Sequence, residues 1–249
     1  MTNSEKYNFA DFTVEHYQAI LQKAKESYVF RNYDDYSLDE KFIILRHDVD
    51  YSVHRAYKLA QIEASEGIKA TYFVLLHSEF YNVFEKVISD LIEKIIGLGH
   101  NIGLHFDSHF YEISNEQDLH EKLVFEKGIL ETIFNIEVNS FCFHITNEFT
   151  LSCNKDSYGG MLNAFSEFYQ KKCGYCSDSN GYWRFKRLMD IISNQTYPQM
   201  QINIHPAWWQ DTIMSPKQRI HRCIDLRAMQ VKDIYDETLL RTGRINIDY

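Results

Sequence analysis

Residues 42–52, FIILRHDVDYS, decide how this chain is read. Phe42, Ile43, Ile44 and Leu45 form a short apolar run of strand length, and Ser52 behind it is a helix-capping residue type. The run ends abruptly in Arg46, His47, Asp48, Val49 and Asp50. Two carboxylates where a buried strand surfaces are costly unless a metal, an arginine or water answers them.

Outward from this stretch, helices and short strands alternate. A leading helix is expected over 13–28, behind Thr13. KFIILRH is the first strand, and a helix capped by Ser52 runs to about Glu66, where Gly67 stops it. KATYFVLL is the next strand. VFEKVISDLIEKII has a helical apolar period that ends at Gly97 and Gly99, and NIGLHF is a strand. Ser114 with Gln117 makes a capping box before LHEKLVFEKGILETIF. Strands SFCFHI, CGYCS and MQINIH follow, separated by GGMLNAFSEFYQ and FKRLMDIIS. Ser215 and Pro216 open a terminal helix over about 216–240. Such alternation predicts a parallel α/β fold, and about 250 residues suit a barrel of the (β/α) type. The chain has three prolines and no repeat, low-complexity tract or Pro/Gly/Ser linker, so one domain over 1–249 is expected, with the barrel at about 41–210.

Composition narrows the function. Apolar residues at 45% and charged ones at 24% are ordinary for a globular protein, and a net charge of −9 argues against a nucleic-acid partner. The basic group Arg184, Lys186 and Arg187 reads as a solvated face, or else as a contact for an anionic substrate. No apolar run reaches the roughly 20 residues that span a bilayer. The opening MTNSEKYNFADF lacks the apolar core of a signal peptide. Five cysteines do not suggest a disulfide framework, and the single CGYC at Cys173 and Cys176 lacks the second pair of a zinc knuckle. A reducing, cytoplasmic location is the expectation.

In barrels of this class the chemistry sits at the C-terminal ends of the strands. Those ends carry Asp48 and Asp50; His105, Asp107 and His109; His144; Asp178; and His205. Each has a plainer explanation alone. Asp48 and Asp50 could cap the following helix, Asp178 in SDSNG could be a turn residue, and an isolated histidine is usually a hydrogen-bonded structural group. Five strands ending in titratable groups are harder to explain that way. Two imidazoles and a carboxylate make a catalytic zinc set with a position left for water. A second carboxylate can act as general base and a further imidazole as general acid.

These residues resemble the NodB-homology polysaccharide deacetylases, the divergent relatives of carbohydrate esterase family four. RHDVD resembles the first motif, which implies Asp48 as base and Asp50 as metal ligand. GHNIGLHFDSH resembles the second, which implies His105 and His109 as ligands. SDSNGYWR resembles the fourth through Asp178 and Trp183, and INIHPAWW the fifth, with His205 as general acid tuned by Asp178. ATYFV also fits, and the order covers about residues 42–209. The third motif departs: SFCFHIT has His144 where the family shows an Arg-Pro pair that orients the base, and Arg46 or Arg184 is the available substitute.

The resemblance implies a distorted (β/α) barrel of about seven strands, a divalent metal (zinc first) and hydrolysis of an N-acetyl or similar amide on a sugar. His144, Trp183, Arg184 and Trp208 become candidates for substrate contact, with Trp209 beside them as a further apolar face. With no leader sequence, a sugar precursor in surface-polysaccharide biosynthesis is the expected substrate. Two rivals stand beside this: a metal-binding barrel that only recognises a carbohydrate or a partner, and a metal hydrolase of a non-sugar amide or ester. No oligomeric state is legible in these residues.

Overall fold

The computed structural model describes residues 1–247. Nine strands share one sheet: β1 Val29–Arg31, β2 Phe42–Val49, β3 Thr71–Leu75, β4 Asn101–Asp107, β5 Ser140–His144, β6 Ser157–Tyr158, β7 Met161–Asn163, β8 Gly174–Ser177 and β9 Gln199–Ile204. The order is β6-β7-β5-β4-β3-β2-β9-β8, with β1 added beside β2. From β7 to β8 all seven strands are parallel, and only β6 runs antiparallel, against β7. This is the expected distorted (β/α) barrel, with β1 and β6 as short additions.

The sheet curls on itself. Gln201 of β9 donates from Nε2 to the carbonyl of Ala164, just past β7, although four strands lie between β7 and β9 in the sheet order. Tyr33 donates to Gln201 Oε1 from within the same lumen, at 2.6 Å. Phe42, Ile44, Phe73, Cys142, Ala164 and Cys173 pack together there and fill the floor.

The period-two alternation of β2 places Ile43, Leu45 and Val49 in the outer core under the helices, and Phe42 and Ile44 in the lumen core. Gly103 of β4 has a specific reason to be glycine: a Cβ there would come within 2.5 Å of the Phe73 ring. That ring in turn supports the guanidinium of Arg46, whose Cζ lies 5.6 Å from it and 5.0 Å from the Phe165 ring.

The helices follow their caps. Thr13 and Ser52 accept from the backbones of His16 and Arg55 to start Val14–Lys25 and Val53–Ser65. Ser215 closes a capping box on Pro216–Arg241. The helix Glu116–Phe134 starts one residue later than the Ser114 box predicts, because Asn115 accepts from Asp118 N and fills the cap itself. GGMLNAFSEFYQ holds strand β7 and the short helix Glu167–Lys171. Cys173 and Cys176 sit in different core clusters, the lumen floor and the outer core. No helix among the described residues is long and apolar enough to cross a membrane.

Candidate functional site

The C-terminal ends of β2, β4, β5 and β9 open into a cleft of about 1080 Å³, lined by Asp48, Asp50, His105, Asp107, His144 and His205 among others. Register explains the convergence. In the β4–β5 pairing, His105 lies opposite Cys142 and Asp107 opposite His144, so His105 and His144 are diagonal neighbours on one face. Their rings meet edge to face, with centroids 4.9 Å apart.

Three donor atoms point at one another. His105 Nε2 lies 3.0 Å from Asp50 Oδ1, His144 Nδ1 lies 3.5 Å from the same oxygen, and the two nitrogens are 3.2 Å apart. Asp50 Oδ1 is buried and makes no hydrogen bond despite these neighbours. Ligands at about 2.0–2.1 Å around a tetrahedral ion stand about 3.3 Å from one another. The donor set and the orphaned oxygen therefore fit a divalent cation held by Asp50, His105 and His144. Burial alone would raise the carboxyl pKa of Asp50, but the two imidazoles more than reverse this and hold it far below the usual range. The His144 imidazole is pushed upward, because Asp50 and then Asp107 outweigh its burial.

Here the site departs from the motif reading. His109 does not join Asp50 and His105. The carboxylate of Asp107 accepts from the backbone N–H groups of His109 and Phe110, at 2.9 and 3.3 Å, and this turn carries His109 outward. Its Nε2 instead meets the carbonyl of Ile145 at 2.8 Å. Ile145 has φ +44, a left-handed backbone that a β-branched residue rarely adopts. The residue after His144 is thus strained and tethered by the histidine that the second-motif resemblance implied as a ligand.

Asp48 sits one alternation below Asp50 and is buried, ionised and held at both oxygens. Arg46 Nη2 and Asn203 Nδ2 each donate to Oδ2 at 2.9 Å, and the Cys142 thiol donates to Oδ1 at 3.4 Å. Burial would raise its pKa; Arg46 first, then His105 and His205, bring it below the usual value. Arg46 thus places a guanidinium against Asp48, whereas Arg184 is exposed.

His205 Nε2 lies 3.9 Å from Asp48 and 3.8 Å from Asp50. Its Nδ1 is 2.7 Å from Asp178 Oδ1, which also accepts the His205 backbone N–H, and Trp209 Nε1 donates to Oδ2 at 2.8 Å. Burial lowers the pKa of His205, but the hydrogen bond and charge of Asp178, helped by Asp50 and Asp48, push it up to about 9. The imidazole is therefore protonated at neutral pH.

The tryptophans do not line the cleft. Trp183 donates to Asp11 Oδ2 at 2.8 Å and packs on Phe12. Trp208 is buried against Tyr51, and a Cβ on Gly181 would come within 2.8 Å of it. Trp209 is a wholly buried support for Asp178. Sequence reading missed Asn203 and Cys142. The signal was period two: Asn203 shares a face with His205, and Cys142 with His144.

No family model matches this chain, and no curated protein matches it. Solved structures do. A family four carbohydrate esterase from Bacillus anthracis is 20% identical, with 86% of each chain covered and a TM-score of 0.46. A chitin deacetylase from the fungal pathogen Colletotrichum lindemuthianum is 14% identical over 81% of this chain and 86% of that one, with a TM-score of 0.48. A family four pseudoenzyme from Bacillus anthracis is 12% identical over 83% of this chain and 64% of that one, with a TM-score of 0.45. The motif order of this sequence resembles the same family. At such identities the likeness concerns the fold alone, and the chemistry rests on this chain's own residues.

Proposed function

We propose that this chain is a metal-dependent hydrolase that removes an N-acetyl or similar acyl group from a sugar or sugar precursor. The observation that carries it is the buried, unbonded Asp50 Oδ1 facing His105 and His144 at the head of an open cleft. Asp50, His105 and His144 hold the ion, with zinc favoured by two nitrogen donors and one oxygen donor. When bound, it polarises the acyl carbonyl and makes water a better nucleophile.

The chain's own groups handle the protons. Asp48, ionised and fixed by Arg46 and Asn203, accepts the proton of the attacking water. His205, kept protonated by Asp178, gives its proton to the departing amine as the C–N bond breaks. The products are a carboxylic acid and a free amino sugar. The sugar class is what the motif order implies, and a role in making surface polysaccharides is the reading that goes with it.

The rival reading, a barrel that only binds, rests on the absence of the third-motif arginine. Arg46 supplies one at Asp48, so turnover now separates the two readings. The test is release of acid from soluble N-acetyl sugars by zinc-loaded protein. His205→Ala is expected to lower kcat by about 10²–10⁴-fold while the metal content stays the same. Unchanged turnover in that variant removes the acid role, and saturable sugar binding with no released acid favours the barrel that only binds.

A further inference from the structure

Resting on the metal-hydrolase reading above, we infer that Cys142 is a positioning residue that fixes the metal-ligating imidazole of His105 and the carboxylate of Asp48 to each other. Cys142 is fully buried on β5, opposite His105 of β4. Its Sγ lies 3.0 Å from His105 Nδ1 and 3.4 Å from Asp48 Oδ1. His105 turns its other nitrogen, Nε2, to Asp50.

The direction of each bond follows from this. An imidazole that offers Nε2 to a cation carries its proton on Nδ1, and a ligating histidine ordinarily donates that proton to an oxygen acceptor. Here the nearest group is a thiol, so Nδ1–H donates to Sγ and S–H donates to Asp48 Oδ1. The carboxylate beyond requires the sulfur to keep its proton. Asp48 Oδ2 is already taken by Arg46 and Asn203, so the thiol is the group that holds Oδ1. A hydroxyl can both accept and donate in the same place; a methyl group can do neither.

A competing arrangement uses the same atoms. Asp48, His105 and Cys142 are close enough together to hold an ion themselves, with the sulfur as thiolate. Titration of the metal-free full chain with Zn²⁺ and with Co²⁺ separates the two. Wild type is expected to bind one ion without a thiolate-to-cobalt charge-transfer band. Cys142→Ala should weaken Kd about 10–100-fold, and Cys142→Ser should return it to within about three-fold of wild type. The melting temperatures of the two metal-free variants should agree, so that the difference reports position and not folding.

An unchanged Kd in Cys142→Ala overturns the inference, as does equal weakening in both variants, a charge-transfer band, or two ions per chain. His144→Ala serves as the control. Loss of binding there with none in Cys142→Ala leaves the metal reading standing and removes only the role of the thiol. A wild-type chain that binds no ion removes both.

Discussion

On the outer face of β2, His47 Nε2 lies 2.7 Å from Glu63 Oε1, and both residues are wholly buried. Tyr17 and Tyr72 donate to the two oxygens of Glu63 at 2.5 and 2.8 Å, and His100 stands 3.6 Å away. Three residues further on, just past the end of β2 and on the inner face, Asp50 is almost as deeply buried, yet one of its oxygens has no hydrogen bond. Both faces bury a carboxylate beside two imidazoles. The outer one answers every oxygen of Glu63 from within the protein and seals the cluster under helix Val53–Ser65; the inner one leaves an oxygen open toward a cleft. The same residue types therefore mean different things. A buried carboxylate with both oxygens held by hydroxyl donors is explained by the fold, and one with an oxygen left over beside a cavity is the candidate for a ligand.

Substitutions on the two faces should move stability and binding in opposite ways. Glu63→Ala strips a charged acceptor from two tyrosines and the ion-pair partner from His47, and is expected to destabilise the chain by about 3–5 kcal/mol in urea melts with metal affinity kept. Asp50→Asn should abolish metal binding and leave the metal-free protein as stable as before, or more stable by up to about 2 kcal/mol. If Asp50→Asn destabilises the metal-free chain as much as Glu63→Ala, the distinction between the faces fails.

The next contrast lies within the cleft. His144→Ala should weaken zinc binding at least about 100-fold by calorimetry, beyond the range of an outer-shell contact, whereas His109→Ala should stay within that outer-shell range of about 10–100-fold or less. The reverse order would restore the i, i+4 pair as the ligand set.

The smallest effect is one of pH. Burial tends to raise the pKa of Glu63, but His47, His100 and Tyr17 bring it below its ordinary 4.5. A carboxylate with a depressed pKa contributes stability that is full above its unfolded value and lost as pH falls through the folded one. The stability gap between wild type and Glu63→Gln should hold steady above about pH 4.5 and shrink below it. A gap that persists undiminished into strong acid would show that the charge of Glu63 is not what the outer cluster uses.

Much of the architecture was legible. The apolar run FIIL ending in RHDVD, the caps at Thr13, Ser52 and Ser215, and the punctuation at Gly67 and Gly99 are local signals, and the strands and helices follow them. Asp48, Asp50, His105 and His205 meet because strand ends in a parallel barrel share one rim. The fate of the tryptophans was not legible. Whether an indole faces a cleft or a core depends on what packs behind it, and Trp209 is claimed by Asp178.

By itself, the sequence determined that a parallel barrel would form and that acids and imidazoles would gather at one end of it, because periodicity and capping act over a few residues. Only the tertiary structure decided which imidazole stands beside Asp50 and His105. His109 and His144 are alike as donors, and what separates them is the β4–β5 register, which pairs segments more than thirty residues apart in the chain, together with the local turn that Asp107 pins. Of the two arginines open to the role, the packing of Phe73 and Phe165 holds Arg46 against Asp48, while Arg184 is exposed. Spacing along the chain cannot encode a contact set by how two strands lie against each other.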